Sequence, residues 1–196
     1  MTEPAKRLDP RFPGVAPDVV DGYLSAPAHM TAEILDGELH VQSRPRLRHA
    51  RAGTRLVGAL RGFDDDDGTP GGWVILIEPE LELGPRPDIV DPDLAGWHRA
   101  RLPRLPDDAA IALPPDWVCE ILSSSTEAID RGKKMRIYRR EGVGHIWLLS
   151  PEHRTLEVYR LENGRYSLLD THEGDGAVQA EPYEAIALSL ARLWAR

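Results

Sequence analysis

Three apolar runs constrain this chain most, because each has the length of one strand and offers no polar face to water. They span Trp73 to Ile77, Trp117 to Leu122 (within a predicted strand from Asp116 to Leu122) and Gly144 to Leu149. Strands of this kind have to be covered on both faces. Segments with helical periodicity precede the first run and separate the last two. The order predicts a mixed α/β (α+β) fold in which helices flank a central mixed β-sheet.

The segments around these runs have their own local signals. Two amphipathic helices are predicted, from about Leu47 to Phe63 and from about Ser123 to Glu141. Ser124 and Glu127 have the spacing of a capping box at the start of the second helix. Asp-Gly at 36–37 and Asn-Gly at 163–164 predict two added β-hairpins. The stretch from about Pro92 to Pro115, rich in Pro, Arg and Asp, is predicted to be a long loop.

Length and composition favour one domain. The 196 residues suit a flexible N-terminal arm over 1–17 and a single domain over 18–196. A single cysteine excludes a disulfide framework within one chain. No apolar stretch approaches the roughly 20 residues of a membrane span, and no signal peptide is recognisable, so we expect a cytoplasmic protein with no membrane contact. The net charge of −8 argues against a dedicated nucleic-acid coat protein.

Two carboxylates have unusual sequence surroundings. Glu120 lies inside the apolar run Trp117 to Leu122, where an isolated charge costs several kcal/mol to desolvate. It should therefore be paired, protonated or metal-bound, and a structural ion pair is as good an interpretation as a catalytic group. Asp88 follows Pro87 on a predicted short strand from Arg86 to Val90. An aspartate in that position is most often a turn residue.

Three side chains of the second predicted helix recur every four residues, namely Asp130, Lys134 and Tyr138. They share one helix face and can point toward the sheet. A surface ion pair between Asp130 and Lys134 is the simpler interpretation.

Basic residues cluster on both sides of the acidic motifs. They fall in the stretches Arg44 to Arg55 and Arg131 to Arg140, and at Arg99, Arg101 and Arg104. Such patches can hold a phosphate backbone without reading base sequence. Solvated faces that balance the acidic residues are an equally good interpretation.

Several of these segments together resemble a known family. They are Glu33 to Leu39, Arg86 to Val90, Val118 to Ser123, Asp130 to Lys134 with Tyr138, and His145 to Leu149. From about Ala32 to its end, the chain is similar to the bacterial "putative restriction endonuclease" family, long described as a domain of unknown function, within the PD-(D/E)xK nuclease superfamily.

The resemblance implies a restriction-endonuclease-like core and a set of site residues. Asp88 and Glu120 match the carboxylates that ligate Mg²⁺ (or Mn²⁺), with help from the Ile121 carbonyl. The usual motif has a lysine two residues after the glutamate, where this chain has Leu122. In the resembled family, a lysine on the following helix takes over, and Lys134 is its match, with Lys133 as the fallback. Glu38 and His49 lie in segments leading into the site and are candidates for an additional ligand or a neighbouring partner, although phosphate contact is an equally good interpretation for His49 in its arginine-rich stretch.

The expected function is metal-dependent hydrolysis of DNA phosphodiester bonds by an endonuclease. Two alternatives stay open. One is a catalytically silent nuclease-fold protein that acts as a binding or assembly module, which the displaced lysine and the acidic net charge favour. The other is a carbohydrate hydrolase with paired carboxylates, for which the sequence offers little. Strand edges of the predicted hairpins make a homodimer possible.

Overall fold

A computed structural model describes residue 9 and residues 11–44, 46–64 and 70–194. The strands are β1 Met30–Leu35, β2 Glu38–Ser43, β3 Trp73–Ile77, β4 Glu80–Leu83, β5 Asp88–Val90, β6 Leu94–His98, β7 Ala110–Ile111, β8 Trp117–Ile121, β9 His145–Ser150, β10 Thr155–Glu162, β11 Arg165–Glu173, β12 Ala177–Val178 and β13 Leu188–Ser189. The helices are α1 Pro17–Leu24, α2 Leu47–Asp64, α3 Glu127–Ile129, α4 Met135–Arg140 and α5 Leu190–Trp194, and a π-helical turn, Asp130–Lys134, joins α3 to α4. Within the described ranges, none of the helices has both the length and the apolar character needed to cross a membrane.

The three apolar runs of the sequence become β3, β8 and β9 of one six-stranded sheet. Its strand order is β11-β10-β9-β8-β6-β3. β8 and β9 run parallel, while the other neighbours are antiparallel. The predicted central mixed sheet with flanking helices is thus confirmed.

One strand of this sheet was not expected. β6 lies within the segment from Pro92 to Pro115, which the sequence predicts to be a loop, yet it is hydrogen-bonded between β3 and β8. Leu94 to Trp97 are fully buried there. The loop prediction was wrong over these residues because the Pro and Asp residues before the strand and the Arg residues after it hid a short apolar run.

A second sheet packs against the first. Its strand order is β2-β1-β5-β4-β7.

Both predicted hairpins are present: β1 pairs with β2 across Asp36-Gly37, and β10 pairs with β11 across Asn163-Gly164. Gly37 and Gly164 have positive φ angles of 78° and 74°, the backbone conformation that glycine adopts without strain.

Side-chain alternation along β8 separates the interior into two apolar layers. Trp117, Cys119 and Ile121 pack in one cluster with Leu56 and Leu60 of α2. On the other face, Val118 packs in a cluster with residues of α4 and of the second sheet. Since side chains alternate along a strand, Glu120 points into this second layer, between the two sheets. Among the sequence neighbours of Glu120, Val118 and Leu122 lie on the same face of the strand, whereas Cys119 and Ile121 lie on the opposite face.

Other predictions need correction at the ends of elements. α3 begins at Glu127 with Thr126 as its N-cap residue, and the Glu127 amide donates to the Ser123 carbonyl, so the predicted box of Ser124 and Glu127 does not form. Within the predicted N-terminal arm, Phe12 and Val15 are buried against Ile34 and Ile89. Residues 1–8 and 10 of that arm, and 65–69 of the acidic stretch after α2, lie outside the described residues.

Candidate active site

A cavity of about 1660 Å³ opens between the two sheets. Residues from β1, β2, the start of α2, the end of β8 and the π-helical turn line it. Three ionisable side chains in its lining are almost fully buried: Glu120 at 2%, Lys134 at 2% and Asp130 at 4% relative exposure. Buried ionisable groups are stable only when they are paired or bound to an ion. The cavity is therefore the candidate active site.

Lys134 lies at the centre of a group of carboxylates. Its Nζ is 3.2 Å from both side-chain oxygens of Glu120 and 3.0 Å from Oε1 of Glu33. It also donates to the backbone carbonyl of Asp91 at 3.2 Å, and Asp130 lies 3.7 Å away. Burial by itself lowers the pKa of Lys134, but the surrounding carboxylates outweigh it and hold the pKa well above its usual range. The lysine is thus positively charged in the interior.

Glu120 is held from a second direction by α4. The hydroxyl of Tyr138 donates a hydrogen bond of 2.5 Å to Oε1 of Glu120. Burial raises the pKa of Glu120 well above its usual range, although Lys134 and the Tyr138 hydroxyl oppose the shift. These contacts fix the carboxylate, because a buried tyrosine and a buried lysine leave it little rotational freedom.

The π-helical turn explains why one helix face supplies so many of these groups. Asp130 and Lys134 begin and end the turn, and both are buried. Insertion of a π turn into an α-helix is common at functional sites. Here the helix carries its polar side chains into the interior. The predicted common face of Asp130, Lys134 and Tyr138 is therefore directed at Glu120.

Asp93 is the carboxylate beside Glu120 on the neighbouring strand. It immediately precedes β6, and the antiparallel register pairs Leu94 with Cys119, so Asp93 lies level with Glu120. Its Oδ2 accepts the backbone amide of Ile121 at 2.6 Å, and its Oδ1 lies 2.5 Å from Nε2 of His49. Residues 92–93 are also a Pro-Asp step, like residues 87–88.

Asp91 is a further carboxylate in the cavity lining. Its Oδ1 is buried and has no hydrogen-bond partner. Burial, together with the charges of Glu33 and Glu80, raises the pKa of Asp91 to about 7. The buried oxygen of Asp91 thus lacks a hydrogen-bond donor or a cation, and the raised pKa reflects mainly its burial.

The donor chemistry of the cavity suits a hard divalent cation, because the side chains around Lys134 offer carboxylate oxygens. The pattern is nevertheless incomplete. Within residues 9, 11–44, 46–64 and 70–194, no group of three or more His, Cys, Asp or Glu is arranged to hold a metal ion. A cation at Asp93 and Glu120 would thus need further oxygens from backbone, water or substrate, as Mg²⁺ sites commonly use.

Comparison with known proteins agrees with this architecture. The family model described as "Uma2: Putative restriction endonuclease" matches residues 20–192. This chain belongs to the Uma2 family. A crystal structure from Anabaena variabilis, titled as a "putative nuclease belonging to DUF820", matches with a TM-score of 0.70 and 21% sequence identity, over 89% of this chain and 96% of that one. At that identity the likeness shows the same fold. A search of curated proteins found no match.

Within this Uma2 chain, the predicted pair of Asp88 and Glu120 is not brought together. Oδ1 of Asp88 accepts the amide of Asp36 at 2.5 Å, and its Oδ2 accepts the guanidinium of Arg140 at 2.5 Å. Asp88 is buried, but it is not among the described residues that line the cavity. Its carboxylate joins the β1–β2 turn to the end of α4. Asp93, unlike Asp88, lies in the cavity lining beside Glu120.

The remaining predicted residues of this Uma2 chain fall into two groups. Lys133, the fallback lysine, points away from Glu120 and binds Glu38, with His40 at 3.0 Å. This contact places Glu38 outside the buried group around Lys134. His49 lies in the cavity lining against Asp93, so it is a neighbour of that carboxylate.

Three residues of the Uma2 site escaped sequence reasoning: Glu33, Asp91 and Asp93. Oε1 of Glu33 accepts the amide of Asp91 at 2.9 Å and also contacts Lys134. Glu33 lies in a hairpin strand, where a glutamate is ordinarily a solvent-facing residue. The second Pro-Asp step, at residues 92–93, was a usable sequence signal for Asp93. It was overlooked because the segment was predicted to be a loop and not a strand of the sheet.

Proposed function

We propose that this protein is a metal-dependent endonuclease that hydrolyses DNA phosphodiester bonds at the cavity between the two sheets. Membership of the Uma2 family supports a nuclease of the restriction-endonuclease type. The observation that carries the proposal is the buried contact of Lys134 with Glu120, with Asp93 beside them on the adjacent strand. This arrangement combines two carboxylates that can ligate a divalent cation with one lysine whose charge can stabilise a phosphate.

In this proposal, Asp93, Glu120 and the Ile121 carbonyl would hold Mg²⁺ or Mn²⁺. The bound cation would polarise the scissile phosphate and make a water molecule more acidic. Oxygen ligands of this type are the ones that hard cations prefer.

The chain's own residues position these groups. The Tyr138 hydroxyl orients Glu120, and the Ile121 amide orients Asp93. Glu33 and the Asp91 carbonyl hold Lys134 at the edge of the cavity. The positive charge of the Lys134 ammonium can stabilise the negative charge that develops on a phosphate at this site. Lys134 thereby takes the place of the lysine that the usual motif has two residues after the glutamate.

The proposal is tested by incubating supercoiled plasmid with Mg²⁺ or Mn²⁺ and following its conversion to nicked and linear forms. We expect wild type to cut, and Asp93→Asn and Glu120→Gln to lose cutting by at least about a hundredfold, since each removes a proposed ligand charge. Asp88→Asn is the matched control, because it changes the buried aspartate of the neighbouring Pro-Asp step, which is not among the described residues that line the cavity. If cutting depends on Asp88 and survives loss of Asp93, the proposed site is wrong.

A second candidate is a silent nuclease-fold module that binds without cutting. It is favoured by the lack, within the described residues, of a preformed group of three metal-binding side chains, and by the carboxylates that already neutralise Lys134. Calorimetry separates the two functions. A Mn²⁺ site that disappears in Glu120→Gln counts against the silent module, whereas no measurable Mn²⁺ binding counts against the nuclease.

DNA is the proposed partner on the same reasoning. Homodimer formation stays a prediction: β2 and β11 are edge strands, and β11 carries a register irregularity opposite Val158 and Tyr159. Bulges of this kind discourage edge-to-edge pairing. Sedimentation of the purified protein over a range of concentrations is the direct measurement.

A further inference from the structure

Several exposed apolar side chains lie at the rim of the cavity. Among the described residues, the well-exposed large hydrophobic side chains are Leu24, Val41, Leu47, Ile77, Leu105, Leu168 and Leu169. Three of them, Leu24, Val41 and Leu47, line this one cavity. Single exposed apolar residues are normal, whereas several around one opening indicate a binding surface.

Leu47 is the extreme case, with 90% relative exposure. It begins α2, and it shares the cavity lining with Arg44, Arg46 and Arg48. The strand end and the helix start thus present an apolar side chain among three guanidinium groups. Arginine binds phosphate through several donors at once, so the chemistry of this edge fits a phosphate backbone whose bases meet an apolar surface.

The volume of the cavity also favours a nucleic-acid ligand. The cavity, at about 1660 Å³, exceeds the roughly 300–1,000 Å³ of typical small-molecule sites. A segment of a polymer therefore fits it better than a single metabolite. In an intact duplex, the base faces are stacked inside, so an aliphatic side chain can reach thymine methyl groups in the major groove but not the faces of the bases, which become accessible where base steps open.

We propose that the DNA taken by this cavity is unpaired or locally opened, with Leu47 packing against exposed bases while Arg44, Arg46 and Arg48 hold the adjoining phosphates. The choice of DNA rests on the proposed function. Apolar side chains that enter between base steps are a known way to hold opened DNA. Leu47 is exposed and flanked by cations, as such a residue has to be.

The test is equilibrium binding of wild-type protein, in chelator so that nothing is cut, to three labelled DNAs. They are a single strand, its fully paired duplex, and the same duplex with a short central bubble. Fluorescence anisotropy is expected to show the single strand and the bubble bound about tenfold more tightly than the duplex, the order of magnitude that partial burial of one leucine side chain supplies.

Three variants separate base contact from phosphate contact. Leu47→Ala should lose roughly 5- to 10-fold in affinity for the single strand and the bubble, with duplex affinity unchanged. Arg46→Ala should weaken binding to all three DNAs similarly and lower the salt dependence. Leu168→Ala, at an exposed leucine on β11 outside the described cavity lining, is the matched control and should change nothing.

Each outcome decides between the two proposals. Equal affinity for the three DNAs, an equal effect of Leu47→Ala on all of them, or no binding overturns the inference. Plasmid cutting without any preference for opened DNA overturns the inference alone and leaves the proposed nuclease intact. A Leu47-dependent preference in a protein that cuts nothing with Mg²⁺ or Mn²⁺ supports this DNA-binding surface and overturns the nuclease.

Discussion

Oδ2 of Asp93 accepts a hydrogen bond from the Ile121 amide at 2.6 Å, which fixes Asp93 beside Glu120 across the β6–β8 pair. A side chain bound to the backbone of the adjacent strand cannot easily turn away, so the two carboxylates remain neighbours. By contrast, Asp88 binds Asp36 and Arg140 and is not among the described residues that line the cavity. The difference leads to the first prediction.

Asp93→Asn should abolish Mn²⁺ binding measured by calorimetry, because it removes one of two proposed charged ligands. Asp88→Asn should keep the affinity within about threefold, well under the tenfold that 1.4 kcal/mol represents. It should instead lower the unfolding temperature, since the ion pair with Arg140 is lost. Equal loss of Mn²⁺ affinity in both variants would contradict the geometry.

Lys134→Met should destabilise the metal-free protein by about 3–5 kcal/mol in urea unfolding, because it leaves Glu33 and Glu120 buried without their cation. Added Mn²⁺ should recover part of the loss, since a cation bound only by the folded state stabilises it. Lys133→Met is the control: its partner Glu38 is exposed, so the urea midpoint should barely move. A similar effect of both substitutions would refute the central position of Lys134.

Stability of the metal-free protein should fall as pH rises toward neutrality, with a contribution from Asp130. Burial raises the pKa of Asp130 to about 6, against opposing effects of Lys134 and Thr126 and with reinforcement from Asp93 and Glu33. The folded state therefore binds the proton more tightly than the unfolded state does. The contribution, at most roughly 3 kcal/mol, is present below about pH 4 and is lost as pH rises through 6.

Urea midpoints between pH 4 and 7 measure this dependence. Asp130→Asn, which cannot titrate, should give a flatter profile than wild type. An unchanged profile in this variant would mean that other groups produce the slope.

Gly96→Ala should destabilise the fold by roughly 1–3 kcal/mol, because the added Cβ would overpack the middle of β6. It would lie 2.6 Å from the Tyr183 hydroxyl and 3.1 Å from the Trp117 ring. Gly58→Ala, in α2 with nothing within 4 Å, should instead stabilise by about 0.5–1 kcal/mol through helix propensity. Unfolding curves of the two variants test whether β6 is a core strand. If Gly96→Ala leaves the stability unchanged, β6 is not packed in the core.

Much of the fold follows from local sequence patterns. The apolar runs became β3, β8 and β9, and the Asp-Gly and Asn-Gly turns became hairpins, because turn conformation depends on adjacent residues. The four-residue spacing of Asp130, Lys134 and Tyr138 placed them on one helix face. The need of Glu120 for a partner was also readable, since a charge in an apolar strand has to be compensated.

Only the tertiary structure decided which groups meet Glu120. Whether Asp88 or Asp93 lies beside it depends on which strand is hydrogen-bonded to β8, and local propensity does not determine that pairing. Glu33 reaches Lys134 from a hairpin in the other sheet. Sequence by itself determined the strands, the turns and the buried carboxylate that requires a partner. The partners of Glu120 depend on how distant segments pack, because hydrogen bonds between strands and burial between sheets join residues that are far apart in the chain.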